Sequence, residues 1–254
     1  MAAKRRADQL LLEQRLAESR AKAQALILAG LVSRDGQRID KPGEQFPADT
    51  TLAVKGRDHP WVSRGGVKLA HEIEHFQIDI AGRVALDIGA STGGFTDVLL
   101  AHGARRVYAV DVGHGQLAWK LRQDPRVVVQ ERLNARYLTS EQIPEPADII
   151  TCDASFIGLT TILPAPLALA AEQAQLVALV KPQFEVGREH VGKGGVVRDA
   201  GLQAEACERI AAWVAAQPGW IVAGLIESPI LGPEGNREFL LYARRGGDAE
   251  SVRQ

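Results

Sequence analysis

Asp87-Ile88-Gly89-Ala90-Ser91-Thr92-Gly93-Gly94-Phe95-Thr96 is the stretch whose reading decides the fold. It follows the apolar run Val84-Ala85-Leu86 and leads into Val98-Leu99-Leu100. A short buried strand over 84–88 therefore passes through a glycine-rich turn into a helix over 95–102. Gly89 permits a tight turn and close backbone approach to a ligand, and Gly93 and Gly94 open a helix whose first N–H groups can meet one. A second strand over 106–110 ends beside Asp111, an acid placed to accept hydrogen bonds from ribose hydroxyls. The loop lacks the lysine of a nucleoside-triphosphate cradle, and its Gly-Ala-Ser-Thr-Gly-Gly order fits the nicotinamide fingerprint poorly. The pattern points to a nucleoside-bearing ligand of another kind.

Outward from this unit, strands are expected over 127–130, 147–152, 176–180, 220–227 and 238–243, with helices over 116–122, 159–171 and 204–216. Strands alternating with helices imply an α/β, Rossmann-like, mostly parallel seven-stranded sheet covered on both faces. No strong helix separates the last two strands, so the last is expected to be antiparallel. Upstream, a helix over 8–16 and a second over 20–29, capped by Ser19 and ended by Gly30, precede a hairpin over 31–39 with Asp35-Gly36 at its turn and a strand over 50–54. Gly56, His59-Pro60 and Gly65-Gly66 mark 55–66 as linker-like, and a helix follows Lys68 to about Phe76. The expected domains are a small α+β module at 1–57, a linker at 58–66, an α/β domain at 67–246 and a tail at 247–254.

The 254 residues are 46% hydrophobic and 24% charged, which fits a soluble globular chain and excludes a disordered one. Net charge is -1 overall, yet residues 1–57 hold eleven Lys and Arg against seven acids. A basic module on a mildly acidic body suits an anionic partner such as RNA, with Lys4, Arg5, Arg6, Arg15, Arg20 and Lys22 as the contact candidates. The two cysteines, Cys152 and Cys207, make neither a disulfide framework nor a cysteine-rich zinc site. His102, His114 and His190 have no metal-ligand spacing, so no metal is expected. The longest apolar candidate, 159–171, is interrupted by Pro164 and Pro166, and nothing approaches the roughly 20 residues of a spanning helix. The N-terminus opens on charges without a secretory core, so the expected setting is the cytoplasm.

Further stretches carry a family likeness. The cradle resembles the first motif of Rossmann-like methyltransferases, especially the FtsJ-like ribose methyltransferases. Ser63-Arg64-Gly65-Gly66-Val67-Lys68-Leu69, Cys152-Asp153-Ala154-Ser155-Phe156-Ile157, Val180-Lys181-Pro182-Gln183-Phe184-Glu185 and Gly235-Asn236-Arg237-Glu238-Phe239 resemble the TlyA (haemolysin A) family of rRNA 2'-O-methyltransferases. Residues 1–57 are similar to the RNA-binding domain of small-subunit ribosomal protein S-four, through Leu16-Ala17-Glu18-Ser19-Arg20 and Gly30-Leu31-Val32. The resemblance implies S-adenosyl-L-methionine as cofactor, rRNA or ribosomal subunits as partner, and cytidine ribose as acceptor. It implies a catalytic tetrad at Lys68, Asp153, Lys181 and Glu238, and cofactor contacts at Asp87, Gly89, Ala90, Ser91, Thr92, Gly93, Gly94, Phe95, Asp111, Asn134 and Asp153. Family members acting on both ribosomal subunits tend to carry a longer C-terminal extension, which favours the large subunit here.

The tetrad also has a physical rationale. A ribose 2'-hydroxyl is a poor nucleophile, and its proton must be removed or strongly hydrogen-bonded as the oxygen attacks. Lysine can accept it only when neutral; burial and a neighbouring ammonium favour that state, while carboxylates oppose it and orient the amine. Lys181 follows an apolar strand at the end where open α/β sheets bind ligands, so it is the expected proton acceptor. Lys68 and Glu238 are expected to position it and the ribose, and Asp153 to face the methyl donor. The loop 187–198 is expected to be a substrate-facing lid. Two alternatives stand beside this reading: a membrane-active haemolysin, and an RNA-binding protein whose methyltransferase body is not catalytic.

Overall fold

The computed structural model describes residues 4–14, 16–17, 19–54 and 59–246. The chain divides into two compact units, Met1–Pro60 and Trp61–Gln254.

In the first unit, β1 (Lys4–Arg6) leads into α1 (Ala7–Glu13), α2 (Arg20–Leu28), β2 (Val32–Arg34), β3 (Gln37–Arg38), β4 (Gln45–Pro47) and β5 (Ala53–Val54). Ser19 caps α2 by accepting from the Lys22 amide at 3.2 Å. β2 pairs antiparallel with β3 and β5. Leu10, Leu11, Ala23, Ile27, Val32 and Phe46 form its buried core. The strand β1 was not expected: three consecutive cations show no apolar alternation. Pairing with β4 holds it, Lys4 against Pro47 and Arg6 against Gln45. The strand expected over 50–54 is shorter, at Ala53–Val54.

The second unit runs α3 (Gly65–Phe76), β6 (Val84–Ile88), α4 (Gly94–Ala101), β7 (Arg106–Asp111), α5 (Trp119–Arg122), β8 (Val127–Glu131), β9 (Ala147–Cys152), α6 (Leu159–Ile162), α7 (Pro164–Ala168), β10 (Ala170–Val180), α8 (Pro182–Glu185), α9 (Ala200–Ala215), β11 (Trp220–Glu227) and β12 (Phe239–Arg245). The seven-stranded sheet has the order β11-β12-β10-β9-β6-β7-β8. It is parallel except at β12, which lies antiparallel between β10 and β11. Strand alternation sorts the core onto two faces. Ala85, Val107, Ile149, Val177 and Leu240 pack with residues of α3 and α4, whereas Leu86, Tyr108, Ile150, Ala178 and Leu241 pack with α6, α7 and α9.

Several expected boundaries moved: the helices expected over 8–16, 116–122 and 204–216 are Ala7–Glu13, Trp119–Arg122 and Ala200–Ala215, and three further changes have a local cause. The helix over 159–171 is two short helices, because Pro164 and Pro166 lack the N–H an interior turn needs and are tolerated only in a first turn. The released residues extend the next strand back to Ala170, with a register shift against β9 between Ala170 and Gln175. Gly65 and Gly66 belong to the first turn of α3, not to a linker. No helix among the described residues is long and apolar enough to cross a membrane.

Glu72 on α3 is fully buried, and neither of its carboxylate oxygens has a hydrogen-bond partner among the described residues. Burial pushes its carboxyl up to about 8 from the ordinary 4.5. The folded chain thus binds a proton that the unfolded chain releases above about pH 4.5, and Glu72 lowers stability progressively as pH rises towards 8. Glu72→Gln should therefore flatten the fall in melting temperature between pH 6 and pH 8.5 seen by calorimetry. Parallel curves for the two proteins would show that this carboxyl is not the destabilising group.

Candidate active site

The site lies where the parallel strands end at their carboxyl edge. β6 closes into the turn at Gly89, whose φ of 78° lies in the left-handed region. A methyl group there would sit 3.0 Å from the Asp153 carbonyl oxygen and 3.1 Å from the Ala154 amide, so a side chain would crowd the backbone at the end of β9. Ser91 is also left-handed, with φ 48°, and its amide donates to Asp111 Oδ2 at 2.8 Å. Asp111 Oδ1 accepts from the Gly113 amide at 2.7 Å. The acid at the end of β7 therefore holds the cradle loop with one oxygen and its own turn with the other, and each oxygen keeps a further lone pair.

Four charged side chains meet at this edge from four separate elements. Lys68 comes from the first turn of α3, Asp153 from just past β9, Lys181 from just past β10, and Glu238 from immediately before β12. Lys68 Nζ donates to Glu238 Oε2 at 2.6 Å and lies 3.9 Å from Asp153 Oδ2. Lys181 Nζ lies 2.6 Å from Asp153 Oδ1 and donates to Ser155 Oγ at 2.9 Å. The order Glu238–Lys68–Asp153–Lys181 alternates in sign and sums to zero. Both lysines are 6% exposed, and Glu238 is 1% exposed. Ammonium groups are rarely buried to that degree without partners, so the pairing keeps them there.

Two cavities share Gly89, Ser91, Asp153 and Ser155 in their walls. One, of about 600 Å³, is lined by the four charged residues, by Gly89, Ala90, Ser91, Thr92, Gly94 and Phe95 of the cradle, and by Ile230, Leu231 and Gly232. The other, of about 450 Å³, is lined by Gly89, Ser91, Asp111, Val112, Gln116, Leu133, Asn134 and Ile157. Asn134 also caps a turn, its Oδ1 accepting from the Arg136 amide at 3.1 Å.

Two of the cradle positions face elsewhere. Gly93 lines neither cavity; a side chain there would run into Leu121. Asp87 is sealed inside, accepting from Thr96 Oγ1 at 2.6 Å and Thr151 Oγ1 at 2.9 Å. Burial pushes its carboxyl up to about 6, against the pull of the two hydroxyls. Its position is that of a strut joining β6, α4 and β9.

Several site-lining residues were not singled out from the sequence. Ser155 is the clearest, since it accepts from Lys181; its one signal was its place two residues beyond Asp153. Phe156 is 90% exposed at the mouth, with φ 66° and its ring 5.2 Å from that of Phe184. Leu231, half exposed, lines the cavity that holds the four charged residues. The loop 187–198 is pinned at its base: Asn236 donates to the Gly195 carbonyl at 2.9 Å and accepts from the Val197 amide at 3.2 Å. Lys193 at its tip is exposed.

In the first unit, Lys4, Arg5, Arg20 and Lys22 are exposed and Arg6 is half buried; Arg15 lies outside the described residues. Three of these cations are engaged. Buried Asp8 accepts from Arg6 Nε at 2.9 Å and Nη2 at 3.0 Å, and from Arg20 Nε at 3.1 Å. Arg6 first, against the cost of burial, then Gln24 and Arg20, hold the Asp8 carboxyl well below the usual range. Arg5 pairs with Glu13 at 3.3 Å, leaving Lys4 and Lys22 the least committed of the described candidates.

Comparison with known proteins follows these two units. Residues 61–245 match the model of the FtsJ-like methyltransferases, and residues 5–51 match the S4 domain. The chain is 49% identical over 249 residues to the 16S/23S rRNA (cytidine-2'-O)-methyltransferase TlyA of Mycobacterium tuberculosis, covering 98% of this chain and 92% of that one. It is 39% identical to Hemolysin A of Brachyspira hyodysenteriae over 238 residues, 93% of this chain and 98% of that one. A solved structure described as a hemolysin, from Streptococcus thermophilus, superposes with a TM-score of 0.74 at 43% identity, over 99% of this chain and 94% of that one. The chain belongs to the TlyA family of FtsJ-like methyltransferases and carries an S4 domain ahead of its methyltransferase domain.

Proposed function

We propose that this enzyme transfers a methyl group from S-adenosyl-L-methionine to the ribose 2'-hydroxyl of a cytidine in ribosomal RNA. The observation that carries the reading is the largely buried Glu238–Lys68–Asp153–Lys181 chain, which lines one cavity and through Asp153 reaches the wall of the second.

The residues present fit the cofactor. Gly89 lines both cavities without a side chain, and Asp111 retains lone pairs for ribose hydroxyls in a cavity whose walls at Val112, Leu133 and Ile157 suit an adenine. The start of α4 at Gly94 and Phe95 favours a carboxylate. When bound, the cofactor supplies an electrophilic methyl group. Ala90, Ser91 and Thr92 would line its amino-acid end and Asn134 its nucleoside end, with Asp153 between.

The chain's own work is on the acceptor. In its neutral form Lys181 Nζ takes the hydroxyl proton as the 2'-oxygen attacks, and the resulting ammonium is held by Asp153 Oδ1 and Ser155 Oγ. Lys68, fixed by Glu238, keeps Asp153 oriented and supplies a fixed positive charge beside the developing oxyanion. Phe156 offers an exposed aromatic face for the base. The S4 unit contributes affinity for structured rRNA through the phosphate backbone, with the cytoplasm as the setting. The name of the Mycobacterium tuberculosis relative covers 16S and 23S rRNA alike, so small and large subunits are both acceptors to test, the large one first.

Methylation of separate ribosomal subunits with labelled cofactor, followed by mapping of the modified ribose, tests the reading directly. Lys181→Ala should reduce turnover by about 100-fold or more while cofactor affinity stays within about twofold of wild type; wild-type turnover would remove Lys181 from the chemistry. Asp111→Ala should weaken cofactor binding about 10- to 100-fold by calorimetry, as expected for loss of charged hydrogen bonds. Replacing Lys4 and Lys22 together by Ala should weaken rRNA binding and make its log-log dependence on salt shallower by about 2, one for each phosphate no longer neutralised. An unchanged slope would place the RNA-binding cations elsewhere.

A further inference from the structure

Glu238 reaches Lys68 through a space that exists because residue 232 has no side chain. Gly232 sits in the loop between β11 and β12 and lines the same cavity as the four charged residues. A methyl group built there would collide with Glu238 Oε1 and lie 2.5 Å from its Cδ and 3.2 Å from its Cγ. That Oε1 is buried and has no hydrogen-bond partner among the described residues, while Oε2 takes the bond from Lys68.

Backbone conformation does not demand glycine at 232. Its φ is outside the left-handed region, unlike that of Gly235, which has φ 84° and open space where a side chain would go. The requirement at 232 is therefore one of room alone.

The loop is also held in place by hydrogen bonds. The Gly232 amide donates to the Asn236 carbonyl at 2.8 Å, Arg64 Nη2 donates to the Leu231 carbonyl at 2.9 Å, and the Ser228 amide donates to the Glu238 carbonyl at 2.9 Å. What can yield is the far end of the Glu238 side chain. Its displacement relieves the overlap but breaks the 2.6 Å contact with Lys68. Lys68 is then left with Asp153, at present 3.9 Å away, which is also the partner of Lys181.

We propose that Gly232 is a positioning residue for the reaction: the absence of a side chain there is what lets the Glu238 carboxylate hold Lys68, and through Lys68 keeps Asp153 for Lys181. The inference rests on the ribose-methylation reading for its effect on turnover, but not for the Glu238–Lys68 pairing itself.

The test compares the full-length wild type, Gly232→Ala, Glu238→Asp and the double variant. Expected for Gly232→Ala are a melting temperature and a cofactor affinity like those of wild type, a kcat on large ribosomal subunits about 100-fold lower, and little change in KM. The shorter carboxylate draws the overlapping end of the side chain back from the methyl group, so Gly232→Ala/Glu238→Asp should regain about tenfold over Gly232→Ala, even though Glu238→Asp alone falls below wild type. Lysine side-chain NMR reads the pairing without any substrate: the Lys68 Cε resonance should shift in Gly232→Ala and return towards its wild-type position in the double variant.

Wild-type kcat and an unmoved Lys68 resonance in Gly232→Ala would overturn the proposal. So would a loss confined to KM, which would mean that the methyl group blocks RNA instead. Should Gly232→Ala lose its fold, the double variant must recover it, and failure to do so overturns the proposal equally. If the wild-type protein does not methylate rRNA, the functional reading fails, and the NMR comparison still decides the role of Gly232.

Discussion

Two lysines and two carboxylates withdrawn from water stay charged only if each finds an opposite partner. Desolvation costs several kcal/mol or more per ion, and an unpaired member would be expelled or neutralised. Alternation along Glu238–Lys68–Asp153–Lys181 meets that constraint with no net charge left over. Removing one member would leave its neighbour uncompensated, so the four behave as a unit, and the positions of α3, β9, β10 and β12 answer to it. The sheet topology makes the meeting possible. β12 runs antiparallel between β10 and β11, so its beginning, not its end, lies at the carboxyl edge of the parallel strands. Glu238 therefore arrives beside Asp153 and Lys181, which leave their strands at that edge. A parallel β12 would have put it at the opposite side of the sheet.

The same electrostatic rule shapes the smaller unit. Buried Asp8 claims Arg6 and Arg20, so two of the cations that make residues 1–57 basic are committed to holding the first strand and the second helix in place. A charge count treats every arginine alike; the folded unit divides them into those that neutralise an internal acid and those that face solvent. Asp87 illustrates the division at the cradle. It has the sequence position of a ligand contact, yet its carboxylate is spent on Thr96 and Thr151, joining the elements that flank the cavities without lining either.

Much of the architecture was legible because it rests on periodicity and on local chemistry. β6, β9 and β11 have the limits that their apolar runs imply, Ser19 caps α2, and Asp35-Gly36 makes the turn between β2 and β3. Where local signals compete, the reading failed. Leu159 to Ala171 is apolar enough for one helix, but proline stereochemistry broke it and gave its last residues to β10. Lys4–Arg6 has no strand signal at all and is a strand because β4 pairs with it, a partner more than 35 residues away in sequence.

For the site, the sequence alone determined the residue types: a glycine-rich turn after a buried strand, an acid after the next, and lysines and carboxylates at strand ends. Those follow from backbone geometry and from where an open α/β sheet leaves its loops. Tertiary structure decided which of them touch. That Glu238 bonds Lys68, that Asp153 bridges the two lysines, that Ser155 joins Lys181 and that Gly232 leaves the room for it all depend on elements brought together from up to 170 residues apart. Pairing of buried charges is a property of three-dimensional proximity and lost solvent, and no local pattern in the chain encodes either.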